Sequence, residues 1–260
     1  MKIGLAQISP AWEDKTANRE RCSEVAQEAA AAKIDLLVFP ETTLTGFSMK
    51  TAALAEGPDG DSARFFTRLA RDHGIGIVYG FISGDGRSRA ANRLVWLDAA
   101  GERVMMVDKV HPFSYAKEDR YYVPGGGPGD GRFLGGGVSA FICFDLRFPE
   151  LFQAVSPRAP LIVVIANWPA VRDAHWQILL RARAVETQSF IVGVNRAGTG
   201  NGLAYIGHSM IVSPRGETLL LADDSDRLFT AEIDISDALS WREEFPLCHD
   251  RRPELYRTFY

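Results

Sequence analysis

The chain is short of the features that mark a specialised scaffold. It has three cysteines, Cys22, Cys143 and Cys248, odd in number and widely spaced. That pattern argues against a disulfide framework and against a zinc site, and a reducing cytoplasm is the expected location. No block of Lys or Arg stands out and the formal net charge is -4, so neither nucleic acid nor an anionic membrane is expected as the main partner. The longest apolar run, Leu161 to Ala166, is far too short to span a bilayer. The amino end, Met1-Lys2-Ile3-Gly4-Leu5-Ala6-Gln7, enters a strand pattern directly and has no signal-peptide layout. No repeat recurs at solenoid periods. The run Gly125-Gly126-Gly127-Pro128-Gly129 matches neither a Walker loop nor a dinucleotide fingerprint, and reads as a turn before a strand.

What is present is the mixture of an ordinary soluble globular protein, with 46% hydrophobic and 24% charged residues among 260. A chain of that length buries roughly three quarters of its unfolded surface, enough to enclose a dry pocket. Apolar runs alternate with helical stretches. Strands are expected at 3–8, 35–39, 75–82, 92–97, 103–107, 138–143, 160–166, 190–195, 209–212, 218–221 and 228–233, and helices at 16–33, 62–73 and 173–188. Gly74 stops the second helix. Ser83-Gly84-Asp85-Gly86 and Asp98-Ala99-Ala100-Gly101 read as hairpin turns. The alternation predicts an α/β (or layered α+β) fold, with mixed sheet covered by helices. No composition break divides the chain, so 1–260 reads as one domain. Residues 241–260, rich in aromatics and charges, read as a carboxyl-terminal tail, folded onto its own domain or reaching a partner subunit.

Three polar residues stand immediately after apolar runs: Glu41, Lys109 and Cys143. Ligands and chemistry gather at the carboxyl ends of strands in open α/β folds. Each residue has an ordinary reading beside a chemical one. Cys143 is a small buried hydrophobe or a nucleophile, and a free thiol is only slightly ionised at neutral pH, so the nucleophile needs a base or a nearby cation. Glu41, flanked by Phe39, Leu44 and Phe47, is a helix-start carboxylate or a partly desolvated proton acceptor. Lys109 is half of a solvated pair with Asp108 or a fixed donor to a developing oxyanion. The order Cys143, His175, Asn195 mimics a papain-like triad. However, His175 lies inside a helical pattern and the spacing is too short, so it reads as a packed or hydrogen-bonded histidine.

Taken with their flanks, these residues resemble the nitrilase superfamily of carbon–nitrogen hydrolases. The resemblance rests on the Pro40-Glu41 strand end, Asp108-Lys109-Val110-His111-Pro112-Phe113, and the elbow Ile142-Cys143-Phe144-Asp145-Leu146-Arg147-Phe148-Pro149-Glu150. Ala166-Asn167-Trp168-Pro169 and the segment Arg181 to Gln188 extend it, so that it runs from the first strand to about Asp234. It implies a four-layer α-β-β-α sandwich with two mixed sheets, no metal or organic cofactor, and a homodimer or higher homo-oligomer assembled through helices. It also implies Glu41 as general base, Lys109 as oxyanion stabiliser, Cys143 as nucleophile, and a second positioning glutamate. Glu118 fits that last role better than Asp119.

The elbow Cys143-Phe144-Asp145 lacks the Cys-Trp-Glu of true nitrilases and is similar to the amidase and carbamoylase branches. Asn167-Trp168-Pro169-Ala170-Val171-Arg172, followed by His175-Trp176, most resembles the omega-amidases. That implies hydrolysis of the terminal amide of small carboxylated amides, of the 2-oxoglutaramate or succinamate type, to acid and ammonia through a cysteine thioester. In this reading Phe144 offers its backbone N–H, Trp168 lines the pocket, and Arg172 grips the distal carboxylate. Arg147 is the less favoured grip, expected to pair with Asp145 or Glu150. Phe144 departs from the tyrosine common at its position, and Pro112 from an aliphatic residue. The alternatives are an N-carbamoyl-amino-acid amidohydrolase, a non-catalytic interaction protein on the same scaffold, and a thiol redox sensor lacking a resolving cysteine.

Overall fold

A computed structural model describes residues 1–259. Fourteen strands lie among the described residues: β1 Lys2–Gln7, β2 Leu36–Val38, β3 Gly76–Ser83, β4 Ala91–Leu97, β5 Arg103–Asp108, β6 Gly129–Phe133, β7 Gly136–Ile142, β8 Leu161–Ala166, β9 Phe190–Asn195, β10 Ala197–Gly200, β11 Leu203–Ile206, β12 Met210–Val212, β13 Thr218–Leu221 and β14 Arg227–Glu232. The helices are α1 Lys15–Ala31, α2 Thr51–Leu54, α3 Asp61–His73, α4 Pro149–Val155, α5 Asp173–Thr187, α6 Ile235–Glu244 and α7 Pro253–Tyr256. Two six-stranded sheets result, in the orders β14-β1-β2-β3-β4-β5 and β13-β12-β9-β8-β7-β6, and β10 pairs with β11 as a separate hairpin. Both sheets are mixed, with parallel centres (β1-β2-β3 and β7-β8-β9) and antiparallel edges.

Sequence pattern accounts for this layering. The central strands Leu161–Ala166 and Phe190–Asn195 are apolar on both faces because both faces are covered. The inner faces meet in one core, where Leu5, Val38, Val78 and Trp96 of the first sheet pack with Val138, Ile142, Val163 and Val192 of the second. Outside the first sheet, Val25 and Ala29 of α1 and Phe66 of α3 cover Leu37, Ile77 and Tyr79. Outside the second, Phe152 and Val155 of α4 and Trp176 and Leu180 of α5 cover Phe141, Ile162 and Ile191. The expected α-β-β-α sandwich is therefore the observed one. No helix among the described residues is long and apolar enough to cross a membrane.

Most expected elements fall within two residues of the observed ones, and their ends have local causes. Asp14 caps α1 by accepting from the backbone N–H groups of Thr16 and Ala17. Gly74 ends α3 in the left-handed conformation, φ 65°. Two expectations need correcting. The turn 83–86 is longer, because pairing stops at Ser83 and Ala91 and residues 84–90 form the connection. There Asp85 accepts from Arg87 and Ser88 N–H groups and builds its own side-chain-capped turn. The tail boundary at Trp241 falls inside α6, which starts earlier because Asp234 caps it at Ser236. Strand β6 and the β10–β11 hairpin carry too few apolar residues to announce themselves.

Cys22 on α1 is fully buried, and burial pushes its thiol well above the usual thiol range. Above about pH 8.5 the unfolded chain therefore releases this proton while the folded one retains it, so stability falls as pH rises. The slope from this group is about 1.4 kcal/mol per pH unit. Cys22→Ala should accordingly be less steeply destabilised between pH 8.5 and 10 than wild type in urea titrations; parallel curves would show that the buried thiol does not contribute.

Candidate active site

Each candidate residue stands at the same end of the two sheets. Strands β2, β3 and β5 run in one direction in the first sheet, and Glu41 and Lys109 follow β2 and β5. Parallel strands β7 and β8 of the second sheet deliver Cys143 and Asn167. Asn92 opens the antiparallel strand β4 and so reaches the same end. The Glu41 loop lies directly on β3. A Cβ on Gly80 would stand 2.7 Å from the backbone nitrogen of Thr42 and 3.1 Å from the Cα of Glu41, so only glycine permits this approach.

Glu41, Lys109 and Glu118 form one buried ionic network, each with about one per cent of its surface exposed or less. Lys109 Nζ lies 3.0 Å from Glu41 Oε1, and 3.1 and 2.9 Å from the two carboxylate oxygens of Glu118. Asn92 Nδ2 donates to Glu41 Oε1 at 2.7 Å and to Glu118 Oε1 at 3.0 Å, tying the carboxylates together. From the second sheet, the Asn167 backbone N–H donates to Glu41 Oε2 at 2.8 Å, and its Nδ2 to the Glu41 carbonyl at 2.7 Å. Burial alone would drive Lys109 toward its neutral form. The charges of Glu118 and Glu41 outweigh that and hold its pKa well above the ordinary lysine value. It is a permanent ammonium.

Cys143 begins a 3₁₀ turn, Cys143–Arg147, at the end of β7. Its φ of 48° is in the left-handed region, which a non-glycine residue occupies only under constraint. Burial and the charge of Glu41 push its thiol well above the usual range, against the pull of Lys109. The resting sulfur is protonated, and a base must take that proton for it to react. Asp145 fastens this elbow to the lysine segment. Its buried carboxylate accepts from the N–H groups of His111 (2.8 Å), Val110 (3.3 Å) and Ile142 (3.3 Å), and His111 Nδ1 lies 3.0 Å from it.

Lys109, Cys143 and Asn167 border a cavity of about 170 Å³, walled by the aromatic rings of Phe47, Phe113, Phe144, Trp168 and Tyr205. Both Arg147 and Arg172 line it as well, and no Asp or Glu does. The structure thus gathers all seven residues expected from sequence: Glu41, Lys109, Cys143 and Glu118, with Phe144, Trp168 and Arg172 on the cavity wall. Arg147 does not pair with Asp145 or Glu150, because Asp145 is occupied by backbone donors. Instead its guanidinium lies 4.8 Å over the Trp168 ring and 3.2 Å from His175 Nδ1. Asn92 and Asp145 escaped the sequence reading. A polar residue opening an apolar strand was the available signal for Asn92, but a single sequence offers none for its two partners.

A family model described as carbon–nitrogen hydrolase matches residues 2–243. The chain belongs to the carbon–nitrogen hydrolases. It is 32% identical to the omega-amidase YafV of Escherichia coli K12 over 252 residues, covering 96% of each protein. It is 33% identical to the 2-oxoglutaramate amidase of Bacillus subtilis 168 over 233 residues, covering 88% of this chain and 89% of that one. Among solved structures, a CN-hydrolase superfamily protein of Xanthomonas campestris superposes with a TM-score of 0.91 at 29% identity, covering 97% of both chains. An amidase from Nesterenkonia sp. AN1, in which acrylamide has added to the active-site cysteine, superposes at 0.89 with 26% identity over the whole of both chains. This member of the family is an amide-hydrolysing enzyme of the omega-amidase-like branch.

Asp145→Ala would leave the buried Ile142 N–H unpaired, at a cost of about 1–3 kcal/mol, strip the half-buried His111 and Val110 N–H groups of their acceptor, and free the elbow from the lysine segment. For whichever small amide the enzyme turns over, kcat should fall tenfold or more with KM changed less than threefold, read from steady-state ammonia release beside a thermal melt. A variant with wild-type kcat would show the strap to be dispensable.

Proposed function

We propose that the enzyme hydrolyses the terminal amide of small carboxylated amides, of the 2-oxoglutaramate or succinamate type, through a thioester on Cys143. The observation that carries this reading is the buried Glu41–Lys109–Glu118 network, whose ammonium borders one cavity with the Cys143 sulfur and with two arginine side chains that form no ion pair. Glu41 takes the Cys143 proton as the sulfur adds to the amide carbon. The oxygen becomes an oxyanion facing Lys109 Nζ and the backbone N–H of Phe144. At rest the ammonium protons of Lys109 are directed at the carboxylates of Glu41 and Glu118. Once Glu41 is protonated its claim on one of them weakens, so proton transfer and oxyanion binding assist each other. Glu118 keeps the ammonium in place throughout.

Collapse of the oxyanion breaks the carbon–nitrogen bond, and the proton held by Glu41 passes to the nitrogen, which leaves as ammonia. Water then gives a proton to Glu41 as its oxygen adds to the thioester carbon. A second collapse breaks the carbon–sulfur bond, returns the proton to sulfur and releases the acid. The sum is amide plus water to acid plus ammonia. Arg172 on the cavity wall would hold the distal carboxylate, and the rings of Trp168 and Phe144 exclude water and strengthen both sets of charges.

A panel of succinamate, 2-oxoglutaramate, propionitrile and an N-carbamoyl amino acid, assayed for ammonia and carbon dioxide, tests this. Ammonia from the two carboxylated amides is expected, falling by roughly 10³-fold or more in folded Cys143→Ala and Glu41→Gln. Preferred turnover of the nitrile, or carbon dioxide from the carbamoyl acid, would replace this reading.

A further inference from the structure

The two arginines reach the cavity from different elements. Arg147 ends the 3₁₀ turn that begins at Cys143, while Arg172 lies in the β8–α5 connection. Each guanidinium lies over an aromatic wall residue, Arg147 above Trp168 at 4.8 Å and Arg172 above Phe113 at 5.5 Å. The polar partner of Arg147 is His175 Nδ1 at 3.2 Å, which must be unprotonated to accept that hydrogen bond. Neither guanidinium forms an ion pair with a described residue; other little-exposed arginines do so, as Arg93 with Asp108 and Arg183 with Glu186, or donate to backbone carbonyls, as Arg196 and Arg242 do. Burial and the charge of Arg172 together depress the pKa of Arg147, and no carboxylate offsets them.

Two like charges held near one another on apolar walls, without a counter-ion, are a costly arrangement that an anion between them would relieve. Among the described residues the cavity has no negative group to do so. No Asp or Glu lines it, and burial pushes the Tyr205 phenol up to about 12, which keeps it neutral.

We infer that Arg147 and Arg172 act together as a two-jawed clamp that closes on a single carboxylate and sets substrate specificity. The inference rests on the amidase reading above and deepens it. The clamp has a second consequence. An amide substrate bearing an ammonium next to its carboxylate, as asparagine and glutamine do, would bring a positive charge toward two fixed ones, with no carboxylate among the lining residues to receive it. The site therefore takes ω-amides whose carbon beside the carboxylate is uncharged and turns away the amino acids of the same length. Arg147 is a specificity-determining residue here, on the same turn as the nucleophile, so it also sets how far the carboxylate stands from the attacking sulfur.

Two measurements on the full-length enzyme test the clamp. In the first, kcat/KM for succinamate, propionamide and asparagine is compared among wild type, Arg147→Gln, Arg172→Gln and the double variant. The succinamate-to-propionamide ratio should fall at least tenfold in either single variant, mostly through KM. The double variant should lose much less than the product of the two single losses, because one carboxylate bridges both jaws. Wild type should favour succinamate over asparagine by at least a hundredfold, and Arg147→Gln should narrow that gap. In the second, calorimetry follows succinate binding to the same four proteins without any turnover. Weaker binding in both single variants supports the clamp even if no amide on the panel is hydrolysed, which would count against the amidase reading alone. Unchanged succinate affinity in folded Arg147→Gln, or a substrate ratio that moves only with Arg172, would overturn it.

Discussion

The site depends on one ammonium shared by two carboxylates in a place shielded from bulk water. Lys109 would be expensive to bury alone, and so would Glu41 or Glu118. Together, with Asn92 donating to both acids and the Asn167 backbone donating to one, nearly every charge-bearing atom has a partner. Removing any member would leave a buried charge uncompensated, so the loops bearing these groups have little freedom. Geometry that catalysis requires is thus enforced by electrostatics that folding requires. Burial, with the Glu41 carboxylate and against the pull of Lys109, keeps the Cys143 sulfur protonated until a substrate arrives, which spares the thiol from adventitious reaction.

Sheet topology turns this into a site. Parallel strand ends place groups from distant parts of the chain along one edge, and each sheet contributes different chemistry. The acids, the ammonium and Asn92 belong to the first half of the fold; the sulfur and Asn167 belong to the second. Small devices hold the halves together. Gly80 lets the Glu41 loop lie flat on β3, and Asp145 binds the cysteine elbow to the segment after Lys109. The left-handed backbone at Cys143 then turns the chain sharply into the 3₁₀ turn that carries Arg147.

Much of this was legible beforehand because it depends on local pattern. Doubly buried strands such as Leu161–Ala166 betray themselves by unbroken apolar runs, and Gly74 marks a helix end by its freedom at positive φ. Glu41, Lys109 and Cys143 were conspicuous as polar residues directly after such runs. What stayed hidden depends on contacts between remote segments. Asn92 looks like any polar residue at a strand start until Glu41 and Glu118 stand around it. Asp145 looked like a partner for Arg147 because they are neighbours in sequence, whereas the backbone of Val110 and His111 already claims it. Strand β6 and the β10–β11 hairpin were missed because partly exposed edges need few apolar residues, and α6 because its cap at Asp234 precedes a weakly amphipathic stretch.

The division of chemistry between the two sheets has a mechanical corollary. Proton acceptor and sulfur ride on separate layers, joined through the apolar seam between them and a handful of hydrogen bonds. A slip of about 1 Å along that seam would separate them enough to cost orders of magnitude in rate, while every helix and strand remained intact. For this architecture, loss of activity under heat or mild denaturant can run ahead of any change in secondary structure, and the enzyme is in effect a gauge of how well its own layers stay aligned.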